Sequence, residues 1–308
     1  MMKWRQLLIL LPSLAFQGCF TGIESTPKIT STDVERQQVG ATEEDKFLSG
    51  INPQRLSEWK KGKRFYVTDD KIVLALEPTG NPPKSGEYIY FDSYRPVISL
   101  TGTEDTEIIF SDKSGGEIVY RVSASRQELE NRAKVDVPFT IDMDIVDATS
   151  DMLLNKELFL KSPVRYDRKG NSYNGIKFVP VTITEVLPGN VVYQVMVKFK
   201  IDGEENPAEE AYLFLNVGDS GRTTRNFATL FYFNDPHRKY PLVTDETWRH
   251  IQRGQVVPYM TREECKLALG APASVSRRNA ISTIQELWSY PNGNYLIFED
   301  GILKSVRR

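Results

Sequence analysis

Asp142 and Asp144 are two residues apart, so in a strand both carboxylates lie on one face, where such a pair can act as general acid and general base. These roles require that one of the carboxyl groups have a raised pKa. Nothing in the neighbouring sequence indicates a setting that would raise it. We therefore interpret both residues as solvated surface acids.

The segment Gly218-Asp219-Ser220-Gly221 matches the surroundings of the nucleophilic serine in chymotrypsin-like proteases. In that class the histidine that serves as general base precedes the serine. Both histidines of this chain, His237 and His250, follow it, and no Gly-x-Ser-x-Gly segment supports another order. Because apolar runs at 212–217 and 227–233 flank the segment, the sequence predicts a hairpin loop without catalytic function.

Residues 167–175 contain the oxygen-bearing side chains typical of a calcium-binding loop, beginning with Asp167. Such a loop also needs acidic residues at its third and twelfth positions, which here are Lys169 and Phe178. The sequence therefore predicts a turn in this segment rather than an ion site.

The chain is poor in the residues that hold metal ions, since it has two cysteines and two histidines. It also has no phosphate-binding glycine loop and no dinucleotide-binding motif. We therefore predict no catalytic residue, no cofactor and no metal site, and a protein that is not an enzyme. Cys265 precedes Ala268 and Leu269 on one face of a predicted helix and is expected to be a buried structural thiol. His250 is expected at a helix surface or partly packed.

The first 18 residues have the pattern of a signal peptide: a basic start, an apolar run from Leu7 to Phe16, and Gly18 before Cys19. The apolar run is far shorter than the ~20 residues that a membrane-spanning helix needs. The segment 14–19 resembles a bacterial lipobox, which implies cleavage after Gly18 and lipidation of Cys19. In the alternative, the protein is secreted in soluble form and Cys19 is a coincidence.

Phe20 follows the proposed lipidation site, where aspartate would favour retention in the inner membrane. Only Glu24 provides an early acidic residue, so we expect a lipid-anchored envelope protein in the outer membrane that faces the periplasm. Residues 19–45 are rich in Thr, Ser, Glu and Gln and are predicted to form a flexible tether. The mature chain has 37 basic and 41 acidic residues, a formal charge of −4, which does not favour binding to nucleic acid.

From Lys63 to about Leu230, short β-branched or aromatic runs alternate with Gly, Pro, Asn and Asp, as in β-sandwiches and β-barrels. The predicted strands are 65–67, 72–76, 88–91, 108–110, 118–122, 178–183, 191–199 and 212–217. In the seventh, Val195, Val197 and Phe199 alternate with Met196 and Lys198, which predicts a strand with one solvent-exposed face.

The sequence also suggests an internal repeat. Residues 59–68 align with residues 152–161 at an offset of 93, and Gly62 and Asn155 occupy matching positions before an apolar strand. The alternative is that two unrelated β-segments resemble each other by chance.

The C-terminal region has the pattern of an α+β domain. Thr244 and Thr261 are predicted to cap two helices, the second through a capping box with Glu264, and Gly270 ends it. Three strands are predicted to follow, at 284–290, 295–299 and 302–306. The predicted core of this unit joins two helices to the sheet through Trp248, Ile251, Leu269, Leu287 and Phe298.

This ααβββ order, with Val-x-x-x-Met-Thr-x-x-Glu-x-x-x-x-Leu-Gly-x-Pro from Val256 to Pro272, resembles the BamE/SmpA/OmlA-like family over about residues 244–306. Members of that family are small envelope lipoproteins of the outer-membrane assembly machinery. Tyr259 stands where members usually have glycine. If that glycine needs an unusual backbone angle, the local turn must differ in this chain.

The sequence thus predicts a mainly β protein with two tandem β-rich domains, sandwich- or barrel-like, followed by a small BamE-like α+β domain. The predicted boundaries are 1–18 for the signal peptide, 19–45 for the tether, 46–135 and 136–239 for the β-rich domains, and 240–308 for the α+β domain. The expected function is that of a non-enzymatic, lipid-anchored envelope scaffold that binds another envelope protein. The alternatives are a ligand or glycan carrier, with a cavity lined by Phe231, Tyr232 and Phe233, and an inhibitor of an envelope enzyme.

Overall fold

The computed structural model describes residues 41–78, 80–202, 211–218, 224–279 and 283–307. The predicted signal peptide, Cys19, Ser220 and residues 20–40 of the predicted tether lie outside this range. Helix α1 (Glu43–Lys46) begins at Thr42, whose hydroxyl accepts a hydrogen bond from the Asp45 N–H while the Asp45 carboxylate accepts one from the Thr42 N–H. The last residues assigned to the tether are therefore helical.

Five antiparallel strands form the first sheet, in the order β4-β3-β2-β1-β5. They are β1 (Arg64–Val67), β2 (Tyr88–Ile98), β3 (Glu104–Ser111), β4 (Glu117–Val122) and β5 (Thr140–Asp142). Helix α2 (Arg126–Asn131) lies between β4 and β5 in the chain. The predicted strand at 72–76 is wrong. The segment forms a 3-10 helix (Asp70–Leu74), because the Asp69 carboxylate accepts a hydrogen bond from the Lys71 N–H at 2.9 Å.

Seven strands form the second sheet, in the order β12-β6-β9-β10-β11-β7-β8. They are β6 (Glu157–Leu160), β7 (Val164–Tyr166), β8 (Ser172–Asn174), β9 (Val179–Pro188), β10 (Val195–Ile201), β11 (Ala211–Leu215) and β12 (Phe231–Tyr232). Helix α3 (Met143–Leu153) packs on this sheet, and α4 (Phe227–Leu230) precedes β12. Val195, Val197 and Phe199 are buried, which confirms the predicted alternation in β10.

The two sheets have corresponding connections. In each, four strands follow one another across the sheet (β1 to β4; β6, β9, β10 and β11), and after a helix the next strand returns beside the first one. Strands β1 and β6 are 93 residues apart at both ends. The hairpin β7–β8 is additional in the second sheet.

Backbone hydrogen bonds correspond as well. The Gly62 N–H donates to Phe91 O at 2.7 Å, and the Asn155 N–H donates to Ile183 O at 2.9 Å. Gly62 and Asn155 both have a positive φ, at 89° and 62°. A second pair of left-handed residues comes just before β2 and β9, the strands that pair with β1 and β6. These residues are Gly86 and Phe178. The pairing of β2 with β3 shifts register between Phe91 and Ser93. The pairing of β9 with β10 shifts at the matching place, between Ile183 and Glu185.

The segment before the first sheet packs on the second one. The Phe47 ring lies 4.5 Å from the ring of Phe227 and 5.0 Å from that of Phe233, centroid to centroid. Leu48 is buried in the same core, and its carbonyl accepts a hydrogen bond from the Gly218 N–H. The described residues from 41 onward form one compact unit, so the boundaries at 135 and 239 stay predictions.

Four antiparallel strands form the C-terminal sheet, in the order β13-β14-β15-β16. They are β13 (Ser274–Asn279), β14 (Ile284–Ser289), β15 (Tyr295–Glu299) and β16 (Ile302–Arg307), and the helices before them are α5 (Pro236–Lys239), α6 (Asp245–Gln252) and α7 (Arg262–Leu269). Both predicted caps form, with Thr244 accepting from Thr247 N–H and Thr261 from Glu264 N–H. The polar strand β13 is a fourth strand that the sequence prediction missed.

Helices α6 and α7 cover one face of the C-terminal sheet. Trp248, Ile251 and Phe298 are buried in the predicted core, and Leu269 is partly buried at its edge. Leu287 is 41% exposed, so its placement in the core was wrong. Because successive residues of a strand point to opposite faces, the inward residue of β14 is its neighbour Trp288. The core also contains Phe178, which immediately precedes β9, so it is not confined to residues 240–308.

Candidate functional site

A cleft of about 640 Å³ lies between residues of the first and second sheets. One wall is residues 134–142, which lead from helix α2 into β5. The facing wall includes Asn190 to Val192 and Gln194, from the connection between β9 and β10, and Asn216 after β11. The cleft thus forms where segments that are far apart in the sequence meet.

Lys63 forms an ion cluster beside this cleft. Its side chain is buried, and its Nζ lies 2.8 Å from Asp142 Oδ1 and also contacts Asp144. Trp59 and Phe65 place their rings 5.8 and 5.6 Å from the same Nζ, within the range of cation–π attraction. A buried lysine needs such partners because they offset the free-energy cost of removing its charge from water.

The two carboxylates do not share a strand face. Asp142 ends β5, whereas Asp144 is in the first turn of α3, where its N–H donates to Asp142 Oδ1 at 3.0 Å. Burial raises the pKa of Asp142, and the neighbouring Lys63 ammonium lowers it in part. The interpretation of both residues as solvated surface acids was therefore wrong for Asp142. It is a buried partner of Lys63 and the N-cap of α3.

The cleft presents polar and apolar groups in about equal proportion. Asn190 and Asn216 contribute side-chain amides, and the buried Gln194 Oε1 has no hydrogen-bond partner among the described residues. Val191 and Val192 are exposed apolar residues in the same wall. This mixture suits a small ligand that donates hydrogen bonds and has one apolar side.

The aromatic residues expected to line a cavity lie elsewhere. Phe231 is fully buried in the core of the second sheet, and Phe233 packs on Phe227 at 4.9 Å. Tyr232 packs against the core of the C-terminal unit. None of the three lines the cleft, so this part of the carrier hypothesis was wrong.

The C-terminal sheet has a second candidate surface on the face away from its helices. We call it the outer face, and define it by Leu287, Tyr295, Ile297 and Ser276. Leu287 pairs with Ile297 on one side and with Ser276 on the other. Leu287 and Tyr295 are 41% and 43% exposed. The outer face therefore combines the apolar side chains of Leu287, Ile297 and Tyr295 with polar neighbours such as Ser276.

Tyr259 lies at the edge of the same sheet in an unfavourable backbone conformation. Its φ is 74° and its side chain is 80% exposed. The Tyr259 N–H donates to Leu303 O, and the Leu303 N–H donates to Met260 O, both at 2.8 Å, which fixes the segment against β16. A left-handed angle is thus present at this position without glycine.

The other residues considered from the sequence have structural roles. Asp167 Oδ1 accepts from the N–H groups of Lys169 and Asn171, which confirms the predicted turn between β7 and β8. Burial raises the pKa of Cys265 to about 12, as expected for an inert thiol. His250 is half-buried on α6. Gly218 is followed by undescribed residues and then by helix α4, so the flanking segments do not form the predicted hairpin.

Among the described residues, six buried charged residues escaped the sequence prediction, and three of them form contacts that bear on the candidate sites and the C-terminal unit. These three are Lys63 in the ion cluster, Lys177 before β9, and Glu286 on β14, whose Oε1 lies 3.0 Å from Arg262 and 2.8 Å from Arg277. The alternation in β14 places Glu286 on the same face as Trp288, and that signal was available in the sequence. The contacts of Lys63 and Lys177 involve residues about 80 to 90 positions away, which local patterns do not reveal.

Among the described residues, no group of three or more His, Cys, Asp or Glu side chains is arranged to hold a metal ion. In the same part of the chain, no helix is long and apolar enough to cross a membrane. No family model matches the chain, and neither the curated proteins nor the solved structures contain a match to it.

Proposed function

We propose that this protein is a non-enzymatic, lipid-anchored scaffold of the bacterial envelope that binds another envelope protein through the outer face. The observation that carries the proposal is the exposure of Leu287 and Tyr295 on one face of the C-terminal sheet. Contiguous apolar surface of this kind marks protein-binding sites more often than isolated exposed residues do. Aromatic and aliphatic groups at the centre with a polar surround are also the composition of known interfaces.

The proposed anchor is a lipid on Cys19, in the outer membrane and facing the periplasm. Cys19→Ser is expected to move the protein from the membrane fraction to the soluble periplasm, because the acyl chains supply the membrane affinity. Gly18→Ala, which keeps a small residue before the cysteine, is the control and should leave fractionation unchanged. Detergent-dependent fractionation of Cys19→Ser would overturn the anchor.

The proposed family resemblance is limited to the C-terminal unit. The capped helix α7 and the strands β14 to β16 support it, while the additional strand β13 extends the ααβββ order. We therefore propose a BamE-like domain, and we do not infer membership of the outer-membrane assembly machinery.

We also propose that the first two sheets are tandem copies of one β-fold. The support is the common strand order, the 93-residue offset of β1 and β6, and the left-handed residues Gly62 and Asn155 at matching positions. Two unrelated sheets have no physical reason to share an unusual backbone angle and a register shift at the same place in the strand order.

Site-specific photo-crosslinking in intact cells tests the outer face. A photoreactive residue at position 287 or 295 is expected to give one discrete adduct, and Leu287→Glu or Tyr295→Glu should abolish co-purification of the adduct's partner. Leu242 is 95% exposed in the connection before α6 and serves as the matched control, since Leu242→Glu should change nothing. Equal crosslinking from positions 287 and 242 would contradict a specific partner at the outer face.

Carriage of a small ligand is a second candidate, supported by the 640 Å³ cleft. Native mass spectrometry of protein isolated from its own envelope would reveal a bound molecule. Val192→Trp should expel it by filling the cleft, whereas Val73→Trp, outside the cleft lining, should not. The inhibitor hypothesis has less support, because the projecting β2–β3 hairpin has aliphatic rather than aromatic residues at its tip.

A further inference from the structure

The hairpin of β2 and β3 extends past both of its neighbouring strands. Strand β1 pairs only with Tyr88 to Tyr90, and β4 pairs with β3 only as far as Thr106. Beyond these positions β2 and β3 continue to pair with each other, up to Ile98 and Glu104. The end of the hairpin is therefore a two-stranded projection.

Two aliphatic side chains form the tip of this projection. Ile98 is 68% exposed, and Leu100 is fully exposed. The Gly102 N–H donates to Ser99 O at 3.0 Å, which closes a turn with Leu100 at its second position. Gly102 has a φ of 81°, which the turn can accept because glycine has no Cβ. The turn thus holds Leu100 at the outermost point.

The polar side chains of the tip are hydrogen-bonded to one another. Ser99 Oγ lies 2.8 Å from Thr101 Oγ1 and 2.7 Å from Thr103 Oγ1, and it also accepts from the Thr103 N–H. A hydroxyl group that already has a hydrogen-bond partner costs less free energy to transfer out of water than one without a partner. Transfer of the tip into an apolar environment therefore leaves these hydroxyl groups with hydrogen-bond partners.

The charge and size of the tip favour a bilayer over a protein pocket. Residues 96–103 carry no charge. The first acid after them, Glu104, accepts from the Arg126 N–H at 3.0 Å, close to the Arg126–Glu130 ion pair, so the base of the tip is not a purely acidic surface. A standard protein interface buries about 800 Å² on each partner, which two aliphatic side chains do not provide. A bilayer needs no complementary shape.

We propose that Ile98 and Leu100 insert into the membrane that carries the lipid anchor and so fix the orientation of the protein on it. This inference rests on the proposed anchoring, since two aliphatic side chains bind a bilayer only weakly without a second attachment. Residues 20–41 separate Cys19 from Thr42, and a chain of this length spans at most about 80 Å when fully extended. The tip therefore stays at a high effective concentration near the bilayer.

Hydrogen exchange on a chemically anchored protein tests the proposal. The mature chain is coupled through Cys19 to maleimide-bearing lipid in phosphatidylcholine vesicles, while the buried Cys265 does not react. The amides of residues 97–104 are expected to exchange more slowly on vesicles than in solution. Leu100→Glu should remove this protection without changing the melting temperature, because its side chain has no packing to lose. Leu242→Glu, equally exposed elsewhere, should retain the protection.

Identical exchange of residues 97–104 on vesicles and in solution would overturn the proposal. Protection that appears only after detergent-solubilised envelope proteins are added would also overturn it and would assign the tip to a protein pocket. The maleimide coupling does not require acylation in the cell. Failure of the Cys19→Ser fractionation experiment is therefore distinguishable from failure of the tip to insert.

Discussion

Lys177 Nζ donates a hydrogen bond to Leu267 O at 2.7 Å and also contacts Ala268 O, so a lysine just before strand β9 caps the C-terminal end of helix α7. The last four carbonyl groups of a helix lack partners within it, and a cation at that end is stabilised by the helix dipole. The Lys177 N–H also donates to Gln252 O at the end of α6. One residue thus joins both helices of the C-terminal unit to the second sheet.

Lys177→Met is expected to weaken the pH dependence of stability in alkaline solution. Burial lowers the pKa of Lys177 from 10.5 to about 8. Between these values the unfolded chain binds more protons than the folded one, so the free energy of unfolding rises with pH. From pH 8 to 10 this rise should be about 2 kcal/mol smaller in Lys177→Met than in the wild type, as measured by urea denaturation. The exposed Lys304→Met should match the wild type.

Trp248→Ala is expected to reduce the free energy of unfolding by about 3–5 kcal/mol, because it removes a buried aromatic ring. The Trp248 ring lies 4.2 Å from that of His237 and 5.8 Å from that of Phe178. Since Phe178 immediately precedes β9 of the second sheet, calorimetry should show one cooperative transition. Limited proteolysis that releases a stable fragment ending near residue 240 would contradict this coupling. His250→Ala, on the same helix, should have little effect.

Thr261→Ala is expected to cost about 1 kcal/mol of stability through loss of the helix cap. The Thr261 hydroxyl accepts from the Glu264 N–H at 3.3 Å, and the Thr261 N–H donates to Glu264 Oε2 at 2.7 Å. Thr261→Ser keeps the hydroxyl and should retain most of the stability. A melting temperature for Thr261→Ala that equals the wild-type value would remove the assigned role.

Tyr259→Gly is expected to increase the free energy of unfolding by roughly 0.5–1 kcal/mol. A left-handed backbone angle destabilises a residue with a Cβ by about 1–2 kcal/mol, and glycine removes this strain. The greater conformational entropy of glycine in the unfolded chain offsets part of the stabilisation. Tyr259→Ala keeps the Cβ and should not be stabilised. If the two variants melt at the same temperature, backbone strain at this position is not the cause. Loss of partner crosslinking in either variant would indicate that the exposed ring contributes to binding.

Local patterns predicted several elements well. The alternation of Val195, Val197 and Phe199 gave the buried face of β10, and the capping residues Thr261 and Gly270 gave both ends of α7. Strand β13 was missed because an exposed edge strand needs no apolar residues. Leu287 was misplaced because apolar character alone does not tell which face of a strand is buried. Its neighbour Trp288 is larger and occupies the inner face.

The candidate sites were harder to predict, because they depend on contacts between distant segments. The cleft is lined by residues as far apart in the chain as Asn52 and Val217. The proposed repeat has a local signal in Gly62 and Asn155, since a left-handed position restricts the residue type. The ion cluster of Lys63 with Asp144 could not be predicted from local patterns, because it joins residues 81 positions apart.

The packing of Phe47 and Leu48 on the second sheet has a consequence for biosynthesis. These residues leave the ribosome early, yet their partners Phe227 and Phe233 follow about 180 residues later. The core cannot close until nearly the whole β-region has been made, and its contacts of high sequence separation form slowly. A nascent chain interrupted near residue 135 would hold these apolar side chains without partners and would depend on chaperones to stay soluble.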